Sequence, residues 1–77
     1  MILYVIKSGI HNFRYVGVTN DLKRRLDRHN CAKTGSTIGY GPFRLVHTEE
    51  FPDYQTARKR EKFLKSGAGR KYLDNLE

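Results

Sequence analysis

Ile2-Leu3-Tyr4-Val5-Ile6 is an unbroken apolar run of β-branched and aromatic residues, and Phe13-Arg14-Tyr15-Val16-Gly17-Val18 repeats that character after Ser8-Gly9-Ile10-His11-Asn12. The pattern predicts a β-hairpin. Thr19, Asn20 and Asp21 then offer helix N-caps, and Leu22, Leu26 and His29 recur at helical spacing, which predicts a helix from Asp21 to Ala32. Gly35 ends that region, and the stretch 34–42, with three glycines and Pro42, reads as a loop long enough to be functional. Phe43, Leu45 and Val46 open a third strand that Phe51 closes. Pro52-Asp53 starts a second helix carrying Ala57, Phe63 and Leu64. Gly67 and Gly69 break it, and Tyr72, Leu73 and Leu76 share one face of a short closing helix in the tail 70–76. The predicted order is β-β-α-β-α-α, an α+β fold in one domain spanning 1–77, without repeats, low-complexity segments or a linker.

Composition adds a partner class to this outline. The 77 residues include 15 Lys plus Arg against 8 Asp plus Glu, a net charge of +7, and such a field attracts nucleic acid before anionic membranes or acidic proteins. The hydrophobic share of 38% is that of a folded chain, although a domain this small buries only about 60% of its unfolded surface. Cys31 is the only cysteine, which excludes an intramolecular disulfide, offers no zinc cluster and fits a reducing compartment. The first residues lack the basic leader and cleavage site of a secretory signal, and no run approaches a membrane span, so a cytoplasmic location is expected.

Several side chains stand where chemistry could use them. Arg25 and His29 are four apart and share a helix face with Leu22 and Leu26. A guanidinium grips phosphate and an imidazole exchanges protons, so the pair suits phosphate chemistry; the plainer alternative is a solvated helix surface with Lys23, Arg24 and Arg28. Tyr54, Ala57, Glu61 and Leu64 fall on one stripe of the second helix, which puts a carboxylate on the inward side. A carboxylate leaving water needs a cation, either a metal ion or Lys65 one turn away. Tyr4 and Tyr15 sit centrally in the hairpin strands and share a face if the loop is even in length. Gly17 within a strand marks a bulge or a close approach by backbone or ligand.

Together these pieces resemble the GIY-YIG nuclease family, and the resemblance covers nearly the whole chain. Ile2-Leu3-Tyr4 stands at the first tripeptide and Tyr15-Val16-Gly17 at the second, eleven positions apart between the tyrosines. Thr19-x-x-Leu22-x-x-Arg25-x-x-x-His29-Asn30 is similar to the family's helix signature. Ala57-Arg58-Lys59-Arg60-Glu61-Lys62 resembles the stretch carrying its metal-binding glutamate, and Leu64-Lys65-Ser66-Gly67 through Gly69-Arg70 the tail of its small stand-alone bacterial members. Ile2 and Leu3 replace the family's glycine and isoleucine, and Ile38 and Gly39 occupy loop positions expected to be basic.

The resemblance implies a three-stranded antiparallel sheet flanked by helices, and an endonuclease that hydrolyses DNA phosphodiester bonds with one Mg²⁺ or Mn²⁺. Glu61 would hold the ion, Arg25 would stabilise charge on the scissile phosphate, and Tyr4 or Tyr15, with His29, would position or deprotonate the attacking water. Gly17 and Asn75 are further candidates. Lys23, Arg24, Arg28, Lys33, Lys65 and Arg70 are the expected DNA contacts, with Tyr40 as a stacking ring. A domain with few base-reading elements should select structure, such as branched or damaged DNA met in repair or recombination, rather than sequence. Phosphate contacts alone do not separate DNA from RNA. The competing reading is a non-catalytic nucleic-acid-binding domain that keeps the fold. No other cofactor and no membrane are expected, and the sequence is silent on oligomeric state.

Overall fold

The computed structural model describes residues 1–31 and 39–76. Strands β1 (Ile2–Ser8), β2 (Arg14–Thr19) and β3 (Phe43–Glu50) form an antiparallel sheet in the order β2-β1-β3, with helices α1 (Leu22–Asn30), α2 (Tyr54–Leu64) and α3 (Gly67–Leu76). The order β-β-α-β-α-α is the one expected. β1 reads as a continuous apolar run because it is central and covered on both faces: Leu3, Tyr4, Val5 and Ile6 are completely buried. Full burial of such a side chain contributes roughly 1.5–3 kcal/mol.

The two faces of β1 divide the core. Leu3 and Val5 join Val16, Leu64 and Leu73 beneath α2 and α3, with Val46 and Phe51 packed alongside. Tyr4 and Ile6 join Phe43 on the other face, with Phe13, Tyr15, Leu22 and Leu26 around them. This second, more aromatic layer lies under α1. The alternation follows from the period of two along a strand, which a register fault would invert.

Helix boundaries have local causes. Asp21 caps α1 by accepting from the Arg24 backbone N–H at 3.2 Å, and Asp53 caps α2 by accepting from the Thr56 N–H at 2.7 Å. α1 ends at Asn30 with Cys31 as its C-cap, and the expected boundary at Ala32 lies outside the described residues; the Asn30 side chain binds the backbone of Phe43. β3 stops at Glu50, and the Phe51 N–H bonds instead to the Met1 carbonyl at 2.9 Å. Tyr54, expected on the inward stripe of α2, is 53% exposed at its first position; Ala57, Glu61 and Leu64 are buried.

α2 ends at Leu64, before Gly67 and Gly69, the two glycines expected to break it, and the closing helix starts earlier than the expected 70–76. Both belong to α3, which begins at Gly67. A Cβ on Gly69 would lie 2.0 Å from the Phe63 carbonyl oxygen and 2.4 Å from Leu64 Cα, so the glycine is what lets α3 turn back tightly onto α2. On the far side, β3 is tied to α2 by Glu49, which accepts from Arg60 Nε at 2.9 Å and lies 2.7 Å from His47 Nε2. The Arg60 guanidinium sits 5.1 Å from the ring centres of both Phe63 and Tyr72. No helix of the described residues is long and apolar enough to cross a membrane.

Candidate active site

Pairing of the hairpin places Tyr4 opposite Gly17 and Ile6 opposite Tyr15, so the two tyrosines share a face, their ring centres 6.2 Å apart. A Cβ at position 17 would lie 2.6 Å from the Tyr4 hydroxyl oxygen and 3.0 Å from Tyr15 Cε1. The close approach expected at Gly17 is therefore made by the Tyr4 phenol, which lies across β2 in the space that the missing side chain leaves.

His29 descends from α1 into this aromatic layer and is completely buried, with Nε2 2.8 Å from the Tyr4 hydroxyl. Its ring centre is 4.9 Å from that of Tyr15 and 6.0 Å from that of Phe43. Burial lowers the pKa of His29, and the charges of Arg25 and Arg28 lower it further, so the imidazole is held neutral. Tyr4 moves the other way. Burial and the neighbouring Tyr15 push its phenol up to about 12, against the charge and hydrogen bonding of Arg25, which favour the phenolate. Arg25, one turn before His29, is thus close enough to act on both groups, and it is only partly exposed. The alternative of a wholly solvated Arg25–His29 face does not describe this helix.

Asn30 secures the arrangement. Its side-chain oxygen accepts from the Phe43 N–H at 2.6 Å and its amide donates to the Phe43 carbonyl at 3.4 Å, joining the end of α1 to the start of β3. The Phe43 ring that packs against His29 is held by the same residue.

Glu61, buried on α2, completes the cluster; its negative charge is near enough to oppose ionisation of Tyr4. One carboxylate oxygen lies 2.6 Å from Arg58 Nη1 and the other 2.7 Å from Lys65 Nζ. Burial would raise the Glu61 pKa, but the hydrogen bonds and charges of Lys65 and Arg58 outweigh it and hold the carboxyl below its ordinary value. The Glu61–Lys65 pair weighed against a metal role is formed, and Arg58 adds a second cation. Both cations are about half exposed, and the Lys65 ammonium lies 5.9 Å from the Tyr15 ring centre. Long half-solvated side chains of this kind exchange partners at small cost.

Among the described residues no group of three or more His, Cys, Asp or Glu side chains comes together. Glu61 supplies one hard oxygen donor, which fits an ion such as Mg²⁺ that keeps most of its waters and leaves positions for phosphate oxygens, once Arg58 or Lys65 has moved aside.

The remaining candidates scatter. Lys23, Arg24 and Arg28 lie on the outer face of α1 beside Asp21, Asp27 and Cys31. Lys65 and Arg70 line an open groove that also contains Tyr15. Tyr40 stacks on Phe13 with ring centres 4.2 Å apart, so one of its faces is already covered. Asn75 is exposed on the last turn of α3 and takes no part in the network above. Lys33 and the departure at Ile38 lie outside the described residues. Arg58 and Asn30 were not singled out beforehand: the i, i+3 spacing of Arg58 to Glu61 signals the first, whereas nothing local joins Asn30 to Phe43.

A hairpin tyrosine pair, an α1 arginine and histidine, and an α2 glutamate thus gather at one sheet, and the fold is that of a known nuclease-domain family. The GIY-YIG catalytic domain model matches residues 1–73, and the chain belongs to this family. Similar proteins include the UPF0213 protein VPA1222 of Vibrio parahaemolyticus, 36% identical over 64 residues that make up 82% of this chain and 59% of the relative. The UPF0213 protein BH0048 of Halalkalibacterium halodurans is 41% identical over 58 residues, 74% of this chain and 62% of the relative. The chain thus spans about 60% of the length of these two relatives. The solution NMR structure of BH0048 superposes with a TM-score of 0.57 at 33% identity, covering 99% of this chain and 83% of that one.

Proposed function

We propose that this chain is an endonuclease that hydrolyses phosphodiester bonds in DNA, with one Mg²⁺ or Mn²⁺ held by Glu61. The observation that carries the reading is the convergence on one site of the hydrogen-bonded Tyr4–His29 pair, Arg25 and Glu61. When bound, the ion would supply Lewis-acid stabilisation of the phosphate oxygens.

The protein's own groups account for the proton. A phenol held near 12 is a poor base by itself, but Tyr4 need not be stored as phenolate if it passes its proton on. In this reading Tyr4 donates to Nε2 of the neutral imidazole, accepts a proton from the attacking water, and leaves His29 as the final acceptor. The charge of Arg25 opposes a lasting imidazolium at His29, and in this reading the same guanidinium would offset the charge that grows on the scissile phosphate. Tyr15 walls the site and packs against the imidazole, which keeps that ring oriented. Selection should follow DNA structure more than sequence, because phosphate contacts dominate a domain of this kind.

One observation favours the competing reading of a binding domain without efficient cleavage: both Glu61 oxygens are satisfied by the chain's own cations. Incubation of the protein with supercoiled plasmid and Mg²⁺ or Mn²⁺, beside Glu61→Ala and an EDTA control, decides between the two. Metal-dependent nicking that disappears in the variant is the expected result. No cutting of plasmid or branched DNA, with binding intact, would establish the binding-only reading.

A further inference from the structure

Between the edge strand β2 and the corner joining α2 to α3 runs an open groove of about 660 Å³. Among the described residues four cations line it, Lys7, Arg14, Lys65 and Arg70, with one carboxylate, Asp74. That carboxylate is engaged, 2.9 Å from Arg14 Nη1, and Arg14 Nη2 donates to the Arg70 carbonyl at 3.3 Å, which pins the guanidinium across the groove. Phe13 and Tyr15 contribute aromatic surface to the same lining. Tyr15 and Lys65 also belong to the catalytic cluster, through the His29 ring and the Glu61 carboxylate respectively, so the groove opens directly onto it.

A channel with cations along its walls and aromatic rings in its lining matches a strand whose phosphates are regularly spaced and whose bases are unstacked. Bases within a duplex are already stacked on their neighbours and offer no ring face to Phe13 or Tyr15. The outer face of α1 is different: among the described residues there, Lys23, Arg24 and Arg28 stand with two acids, Asp21 and Asp27, and no aromatic ring.

We infer that the groove takes a single unpaired strand of the substrate as it leaves the scissile phosphate, with Lys7 and Arg70 contacting its backbone and Tyr15 its first free base. The inference rests on the nuclease reading for the position of the scissile phosphate. It assigns the substrate class: DNA with an unpaired strand adjoining the cut, such as a fork or flap.

The test is equilibrium binding in EDTA, where nothing is cut, by fluorescence anisotropy of a labelled oligothymidylate and of a duplex of equal length. Lys7→Glu with Arg70→Glu is compared with Lys59→Glu with Lys62→Glu, an equal change in charge on α2 positions that do not line the groove. The wild type should prefer the single strand, and the groove pair should lose at least about tenfold in affinity at about 50 mM salt, with a salt slope shallower by about 1.4 for two lost phosphate contacts. The α2 pair should lose much less. Lys7→Gln with Arg70→Gln, with thermal melts of each variant, separates lost contacts from lost folding. Equal losses for the two pairs, no preference for the single strand, or no binding at all would each overturn the inference. A wild type that binds the strand through the groove yet cuts nothing would support the groove and remove the nuclease reading alone.

Discussion

Replacing Tyr4 with Phe removes one hydroxyl and tests the centre of the site. The oxygen lies 2.8 Å from Nε2 of a completely buried imidazole, so the variant leaves a buried polar nitrogen without that partner. A stranded buried group costs about 1–3 kcal/mol, partly offset because the variant no longer buries a phenol hydroxyl. A net loss of about 1–2 kcal/mol lowers the Tm of a domain this size by about 5–15 °C. Loss of the proton relay should slow cutting by about 10²–10⁴-fold. Tyr15→Phe is the internal comparison, since the Tyr15 ring packs against His29 without replacing the Tyr4 hydroxyl, and it should keep more of its stability. Circular dichroism melts and single-turnover plasmid nicking, run on the same preparations, give the two readouts. A Tyr4→Phe melt within about 2 °C of the parent would refute the claim that the hydrogen bond supports the core. A lowered Tm with cutting at the parent rate would refute the relay.

Other perturbations follow from the same geometry. Because the pKa of His29 is depressed in the folded state, the unfolded chain takes up a proton that the folded chain resists, so stability should decline as pH falls through and below 6.5. Urea unfolding across that range checks this, and His29→Gln should flatten the dependence. Gly69→Ala drives a methyl into the backbone of Phe63 and Leu64 and should cost about 1–3 kcal/mol or more despite the better helix propensity of alanine. Gly67→Ala, where nothing lies within 4 Å of the added carbon, should instead stabilise by about 0.4–1 kcal/mol, and paired thermal melts compare them.

Local pattern was sufficient for the strands, the helices and their order. The Ile2–Ile6 run, the caps at Asp21 and Asp53 and the helical spacing of Leu22, Leu26 and His29 are statements about neighbours in sequence, and their physics is local. The motif order also identified the family and nominated Tyr4, Tyr15, Arg25, His29 and Glu61. Those side chains come together because strand and helix periodicities put each on a face, and the hairpin register brings the faces into contact.

What remained for tertiary structure is whatever depends on residues far apart in sequence. Gly69 was read as a helix breaker because its local conformational freedom was visible, whereas the Phe63 carbonyl that demands a missing Cβ becomes a neighbour only after α3 folds back on α2. Asn30 belonged to a motif, yet its task of holding Phe43 thirteen residues later is set by the packing of α1 on β3. The directions of the Tyr4 and His29 pKa shifts likewise come from burial at the sheet, which no window of the sequence contains. The charge of +7 was evident from composition, but its gathering with aromatic rings along the β2 edge required Lys7 and Arg14 to meet Lys65 and Arg70 across more than fifty residues of chain.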